Sequence, residues 1–175
     1  GTAPDIGAYE SGAPNWTTGH NFSTPPNPSF TTTNTRYYNL LTNGTFEREQ
    51  ATVGGWTKTH AQTAAIDPKQ GNTVKSRYAW TYGLKLGTGA DGIEQTITGL
   101  SPNTQYEIRG FGRAAASGQT LRIGAKNYGS KDTYQEVTST SWTKKTLTFT
   151  TGSTNTSATI YVYKPTTGDY AYADD

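Results

Sequence analysis

The chain of 175 residues has no cysteine, which excludes disulfide staples and thiolate metal sites. Histidine is nearly as scarce: only His20 and His60 occur. No nucleophile elbow, zinc-protease helix, phosphate-binding loop or dinucleotide fingerprint is present. No apolar run approaches the roughly 18 residues that a membrane helix needs, and no signal peptide is visible. Charged residues are only 16% of the chain and the net charge is +2. So little charge argues against a disordered polyelectrolyte, and so weak an excess does not point to nucleic acid.

Glycine, tyrosine and tryptophan are plentiful instead, with 20, 12 and 4 residues respectively. Threonine, serine and asparagine supply the polar surface. The length fits one hydrophobic core. The segment 13–35 is rich in Pro, Thr, Asn and Ser, and Pro25-Pro26-Asn27-Pro28 blocks helix and strand pairing. We read residues 1–38 as an irregular tail and linker from an upstream domain and residues 39–175 as the folded domain. Trp16, Phe22 and Phe30 are more aromatics than a free linker needs, so part of the tail is expected to pack on the domain. The first residue does not look like a natural start, so the chain is read as part of something larger.

From Asn39 onward, apolar residues recur with period 2 and not 3.6, which predicts strands and no long helix. Residues 106–113, 121–126, 146–150 and 159–163 all alternate. Residues 84–86 and 93–97 look like a strand pair joined through 87–92. Turn signals at Asn43-Gly44, Gly54-Gly55, Ser117-Gly118 and Gly152-Ser153 recur at the spacing of a sandwich. The fold class predicted is therefore an all-β sandwich of two antiparallel sheets.

Alternation also assigns faces. Tyr106, Ile108, Gly110 and Gly112 point inward along 106–113, and Glu107, Arg109, Phe111 and Arg113 outward. Leu121, Ile123 and Ala125 point inward, with Arg122, Gly124 and Lys126 outward. Ile160 and Val162 point inward, with Tyr161 and Tyr163 outward. If these three strands share a sheet, its outer face combines Arg109, Arg113, Arg122 and Lys126 with Phe111, Tyr161 and Tyr163. Aromatic rings stack on the apolar faces of sugars, and guanidinium forks bind carboxylates or sulfates.

The run NLLTNGTFE at 39–47 followed by Gly55-Trp56, then YGLKLG, IEQTITGLSPNTQYEIRGFGR, IGAKNYG, TSWTKKTLTFTTG, ATIYVYK and YAYADD, resembles carbohydrate-binding modules of the family 4/9/16/22 β-sandwich type. The resemblance spans 39–175. It implies a jelly roll whose concave sheet binds a polysaccharide, and a structural Ca²⁺ joining the first and last strands. The matching positions are Glu47 and Asp174 by side chain and Thr45 by backbone carbonyl, with Asp175 as competing ligand. A second, eight-residue resemblance at 3–10 is to the closing motif of parallel β-helix enzymes that degrade polysaccharides. Together they imply a monomeric module of a secreted, extracellular bacterial enzyme, tethered to its catalytic domain.

Other aromatics are candidates for the groove. Trp56 is placed either in the core or along the groove; Trp80, in the loop RYAWTY, and Tyr128, in KNYG, are rim candidates. Catalysis has little to build on. A jelly-roll lyase would need Tyr, Arg and Gln around a uronate, and nothing supports Glu107 and Glu136 as a glycosidase pair. The expected function is non-catalytic binding of an acidic polysaccharide: alginate, another uronate polymer or a sulfated algal galactan. The alternatives are a module binding a neutral β-glucan or xylan, or a small jelly-roll polysaccharide lyase.

Overall fold

Ten short alternating stretches account for every regular element that the structure, a computed structural model, describes; the described residues are 39–48, 52–68 and 82–175. They are β1 (Thr57–His60), β2 (Ala65–Pro68), β3 (Tyr82–Leu86), β4 (Asp91–Thr98), β5 (Gln105–Ala114), β6 (Leu121–Lys126), β7 (Thr133–Val137), β8 (Thr143–Thr150), β9 (Ser157–Lys164) and β10 (Ala171–Asp174). Two five-stranded antiparallel sheets result, ordered β1-β4-β9-β6-β7 and β2-β3-β10-β5-β8. This is the jelly-roll sandwich that the alternation and the resemblance predict. The tail and linker expected at 1–38 lie outside the described residues.

Each strand sends its apolar set between the sheets, as period 2 requires. One cluster gathers Leu84, Leu86, Ile93, Leu121, Val137 and Val162, and a second gathers Ile97, Ile108, Ile123, Leu147, Phe149 and Ile160. Full burial of one such side chain contributes about 1.5–3 kcal/mol. Trp56 packs against both clusters. Its indole Nε1 donates to the Asn43 carbonyl at 3.2 Å, and its ring centroid lies 5.8 Å from that of Phe46. Gln95 points inward and ties the 41–56 region to β4: its amide donates to the carbonyls of Thr42 and Gly55 and accepts from Thr42 N–H.

Residues 84–86 and 93–97 do not pair, contrary to the sequence reading. β3 belongs to one sheet and β4 to the other, so 87–90 crosses the sandwich. A buried carboxylate holds this crossover. Asp91 accepts from Gly87 N–H at 2.7 Å, the Thr63 hydroxyl at 2.7 Å, Thr63 N–H at 3.2 Å and Gly92 N–H at 3.0 Å. Its register partner across β4–β9 is Lys164, which is also fully buried. The Lys164 ammonium donates to the carbonyls of Gly89 at 3.0 Å, Thr88 at 3.4 Å and Thr166. Burial holds its pKa below the ordinary lysine value, against the opposing charges of Asp91 and Asp169.

Lys164→Met removes the donor from these carbonyls while keeping most of the volume. It is expected to lower the unfolding free energy by about 2–4 kcal/mol, read as a lower urea midpoint at unchanged slope. An unshifted midpoint would mean that the ammonium plays no structural part.

Candidate functional site

The outer face of the β1-β4-β9-β6-β7 sheet carries a set of rings and charges that pairing brings together. Register aligns Thr59, Gly92, Tyr163, Arg122 and Glu136 in one row across the strands, and Thr57, Glu94, Tyr161, Gly124 and Tyr134 in the next. Each tyrosine of β9 therefore faces a glycine on a neighbouring strand. A Cβ built on Gly124 would lie 2.6 Å from Cζ of Tyr161, and one on Gly92 would lie 3.2 Å from Cδ2 of Tyr163. The two rings lean across the glycines in opposite directions, Tyr161 towards β6 and Tyr163 towards β4. His60 at the end of β1 extends the second ring, stacking on Tyr163 with centroids 4.3 Å apart and planes at 25°.

Charged groups flank this platform in pairs. Lys126 Nζ lies 2.7 Å from Glu94 Oε2 and 5.8 Å from the Tyr161 centroid. Arg122 Nε lies 2.9 Å from Glu136 Oε1, and its guanidinium sits 4.5 Å over the Tyr134 ring. That hydrogen bond to Glu136 raises the Arg122 pKa further. A shallow groove of about 100 Å³ runs between Thr59, His60, Glu94, Lys126, Asp132, Tyr161 and Tyr163. The Tyr161 phenol is pushed up to about 12, first by burial and then by the Asp132 carboxylate, against the attraction of Arg122.

Half of the predicted face is here and half is not. Arg122, Lys126, Tyr161 and Tyr163 point outward on this sheet as expected. Arg109, Phe111 and Arg113 also point outward, but from β5, which lies in the opposite sheet. A sandwich has two outer faces, and alternation within a strand does not say which one it serves. On that second face Arg109 pairs with Glu107, Arg113 lies 5.3 Å from the Tyr172 ring and Lys144 lies 6.0 Å from that of Phe111. Tyr128 is not a rim residue: it is 5% exposed, packs on Phe149 and donates its hydroxyl to the Lys131 carbonyl. Trp56 serves the core. Trp80 lies outside the described residues.

The sequence reading missed His60, Glu94, Asp132, Tyr134 and Gly92, and it placed Gly124 outward without giving it a role. The glycines had a signal, since an isolated glycine inside a strand marks a close approach from a neighbour. His60 ends β1, Asp132 precedes β7, Tyr134 lies on the edge strand β7 and Glu94 lies within β4; they join the platform only through pairing.

At the other side of the molecule the residues expected to hold calcium can be compared directly. Asp174 is 2% exposed. Glu47 accepts from Tyr82 N–H at 2.9 Å, which joins the first turn to β3. Burial, and after it the charge of Glu47, raises the Asp175 carboxyl above its ordinary range, so two carboxylates are close enough to repel. Thr45 lies in the exposed turn before Glu47. Among the described residues no three acidic or histidine side chains converge as a metal cluster, so a cation here would draw on backbone carbonyls as well. Carboxylates with a carbonyl are the donor set that calcium takes.

An antiparallel sandwich with an open aromatic face defines a binding module, and the comparisons place it in a family. Residues 38–169 match the carbohydrate-binding domain family 4/9, and the chain belongs to that family. A second module of carbohydrate-binding family 16 is 26% identical and superposes with a TM-score of 0.59, covering 78% of this chain and 96% of its own. The module TmCBM61, solved with β-1,4-galactotriose, is 16% identical with a TM-score of 0.61, covering 79% and 96% respectively. A keratan-sulfate endo-1,4-β-galactosidase of Sphingobacterium multivorum is 35% identical over 136 residues, which span 78% of this chain and 30% of that enzyme.

The tyrosine environment makes a direct prediction. An ultraviolet titration should include a component near pH 12 from the Tyr161 phenol, and Tyr161→Phe should remove that component. Between the ordinary value near 10 and that midpoint the folded state keeps a proton that the unfolded chain has lost. Stability should therefore fall as pH rises through this window. A Tyr161→Phe protein with the same alkaline titration would show that the ring is not held as described.

Proposed function

We propose that this module is a non-catalytic binder of a galactose-based polysaccharide, held on the outer face of the β1-β4-β9-β6-β7 sheet. The observation that carries this reading is the pair of tyrosines laid across Gly92 and Gly124 beside an ion pair. Flat rings meet the apolar faces of pyranoses. Glu94 accepts from, and Lys126 donates to, the hydroxyls around them. The galactose preference follows from the relative that acts on keratan sulfate, and it narrows the expected acidic polymers to a sulfated galactan. Arg122, at the end of the Tyr163 row, is the group suited to a sulfate. A second reading, a neutral β-glycan, is favoured by the fact that Arg122 and Lys126 are each already paired with a carboxylate.

In the full-length protein the module would be secreted and tethered to a catalytic domain, raising the concentration of substrate near it without chemistry of its own. Affinity electrophoresis and calorimetry against keratan sulfate, desulfated keratan, β-1,4-galactan, xylan and β-glucan test the reading. Galactose-based polymers should be retarded with no product formed. Tyr161→Ala should weaken binding about tenfold or more, a loss of about 1.4 kcal/mol. Arg109→Ala and Arg113→Ala on the opposite sheet should leave it within about twofold. Equal retardation of wild type and Tyr161→Ala would move the site elsewhere.

The same reading includes one structural Ca²⁺ held by Glu47, Asp174 and the Thr45 carbonyl, with Asp175 alongside. The ion would neutralise the crowded carboxylates and tie the first turn to the last strand. A ligand that binds only the folded state at about 100 times its dissociation constant adds about 2.7 kcal/mol. For a domain of this size that is a rise in Tm of roughly 5–10 °C. Glu47→Gln and Asp174→Asn should each abolish the rise. A melting curve that calcium and chelator leave alike would overturn this assignment.

A further inference from the structure

We propose that Glu94 and Asp132 are the specificity-determining residues of the groove, admitting sugars that present hydroxyls and rejecting those with a carboxylate on the ring. The inference rests on the placement of the glycan on this sheet. Around Tyr161 and Tyr163 the groove is lined by two carboxylates and one ammonium, together with His60. The ammonium is already committed, since Lys126 sits 2.7 Å from Glu94 and both side chains are about one-third exposed. Asp132 is exposed, and among the described residues no cation lies within ion-pair distance of it. The centre of the groove is therefore net negative, although the chain as a whole carries +2.

Such a site is selective by charge. A sugar hydroxyl donates to a carboxylate, and a vicinal pair can bridge the Glu94–Lys126 couple, accepting from the ammonium and donating to the carboxylate. A uronate offers only acceptors at its carboxylate. Seated over Tyr161 it would face Asp132 without a free cation, and like charges at short range are strongly unfavourable where solvent is partly excluded. The influence of Asp132 on the Tyr161 phenol is consistent with this closeness. A sulfate ester meets a different environment. It stands off the ring and would reach one row along the strands, where Arg122 is bonded to Glu136 through Nε and a guanidinium has further N–H donors at its terminal nitrogens. The groove thereby separates two kinds of acidic polysaccharide that the sequence left together, sulfated galactans and uronate polymers.

The test uses a β-1,4-galactan oligosaccharide and the same oligosaccharide with its 6-hydroxyls oxidised to carboxylates, titrated calorimetrically into wild type, Glu94→Gln, Asp132→Asn and Tyr161→Ala. Wild type should bind the neutral oligosaccharide at least about tenfold more tightly than the oxidised one. Added salt should narrow that gap by screening the repulsion. Asp132→Asn should raise affinity for the oxidised form about tenfold relative to that for the neutral form. Glu94→Gln should also favour the oxidised form, because it releases Lys126. Neutral binding that depends on Tyr161, with no gain for the oxidised form in either variant, would overturn the charge filter and keep the site. Loss of selectivity in wild type would overturn it too. No binding of the neutral form by wild type would remove both the filter and the galactan reading.

Discussion

Strand β9 runs between β4 and β6, and each neighbour sets a glycine opposite one of its tyrosines: Gly92 opposite Tyr163 and Gly124 opposite Tyr161. The open face depends on this match. A side chain at either glycine would meet the ring, and at Gly124 also the Thr133 carbonyl, 2.6 Å from the position of a Cβ. Glycine weakens a strand by giving up packing and chain entropy. Here the cost is offset by the sheet on both sides and by the rings that cover the gap. The result is a platform of phenol and imidazole groups fixed by backbone pairing instead of by loops, preorganised for a flat ligand.

Two polar constructions hold the ends of the sandwich. At one end Asp91 and Lys164 bind the backbone of the crossover 87–90 and the segment after β9. Both are buried, and each spends its hydrogen-bonding capacity on groups that would otherwise be orphaned. At the other end Glu47 bonds the backbone of β3 while Asp174 and Asp175 bring further negative charge. The first construction is complete within the protein. The second brings like charges together, the repulsion that the proposed divalent cation would relieve.

Charge on the platform is arranged by pairs more than by sign. Arg122 and Lys126 are each tied to a glutamate, and Asp132 tips the groove to negative. A surface that looks basic when cations are counted along the sequence is, once folded, nearly balanced. With a glycan on this face, as proposed, affinity would come chiefly from stacking and hydroxyl hydrogen bonds, and charge would serve discrimination more than attraction.

Much of this was legible in the chain itself. Period-2 alternation assigned Ile108, Ile123, Ile160 and Val162 inward and Arg122, Lys126, Tyr161 and Tyr163 outward, because a pleated strand leaves a side chain no other choice. The sandwich class followed from turn spacing and from the absence of helical periodicity. Strand partnership was not legible. Arg109, Phe111 and Arg113 alternate as regularly as Tyr161 and Tyr163, yet β5 pairs with β10 and β8 and faces the other way. Residues 84–86 and 93–97 read as a hairpin and belong to different sheets. Local sequence determined which side chains leave the core. Only the tertiary structure decided which of two outer surfaces they reach and which glycine, cation or carboxylate they meet there, because those contacts are made between segments far apart in the chain and are fixed by hydrogen-bond register across the whole sheet.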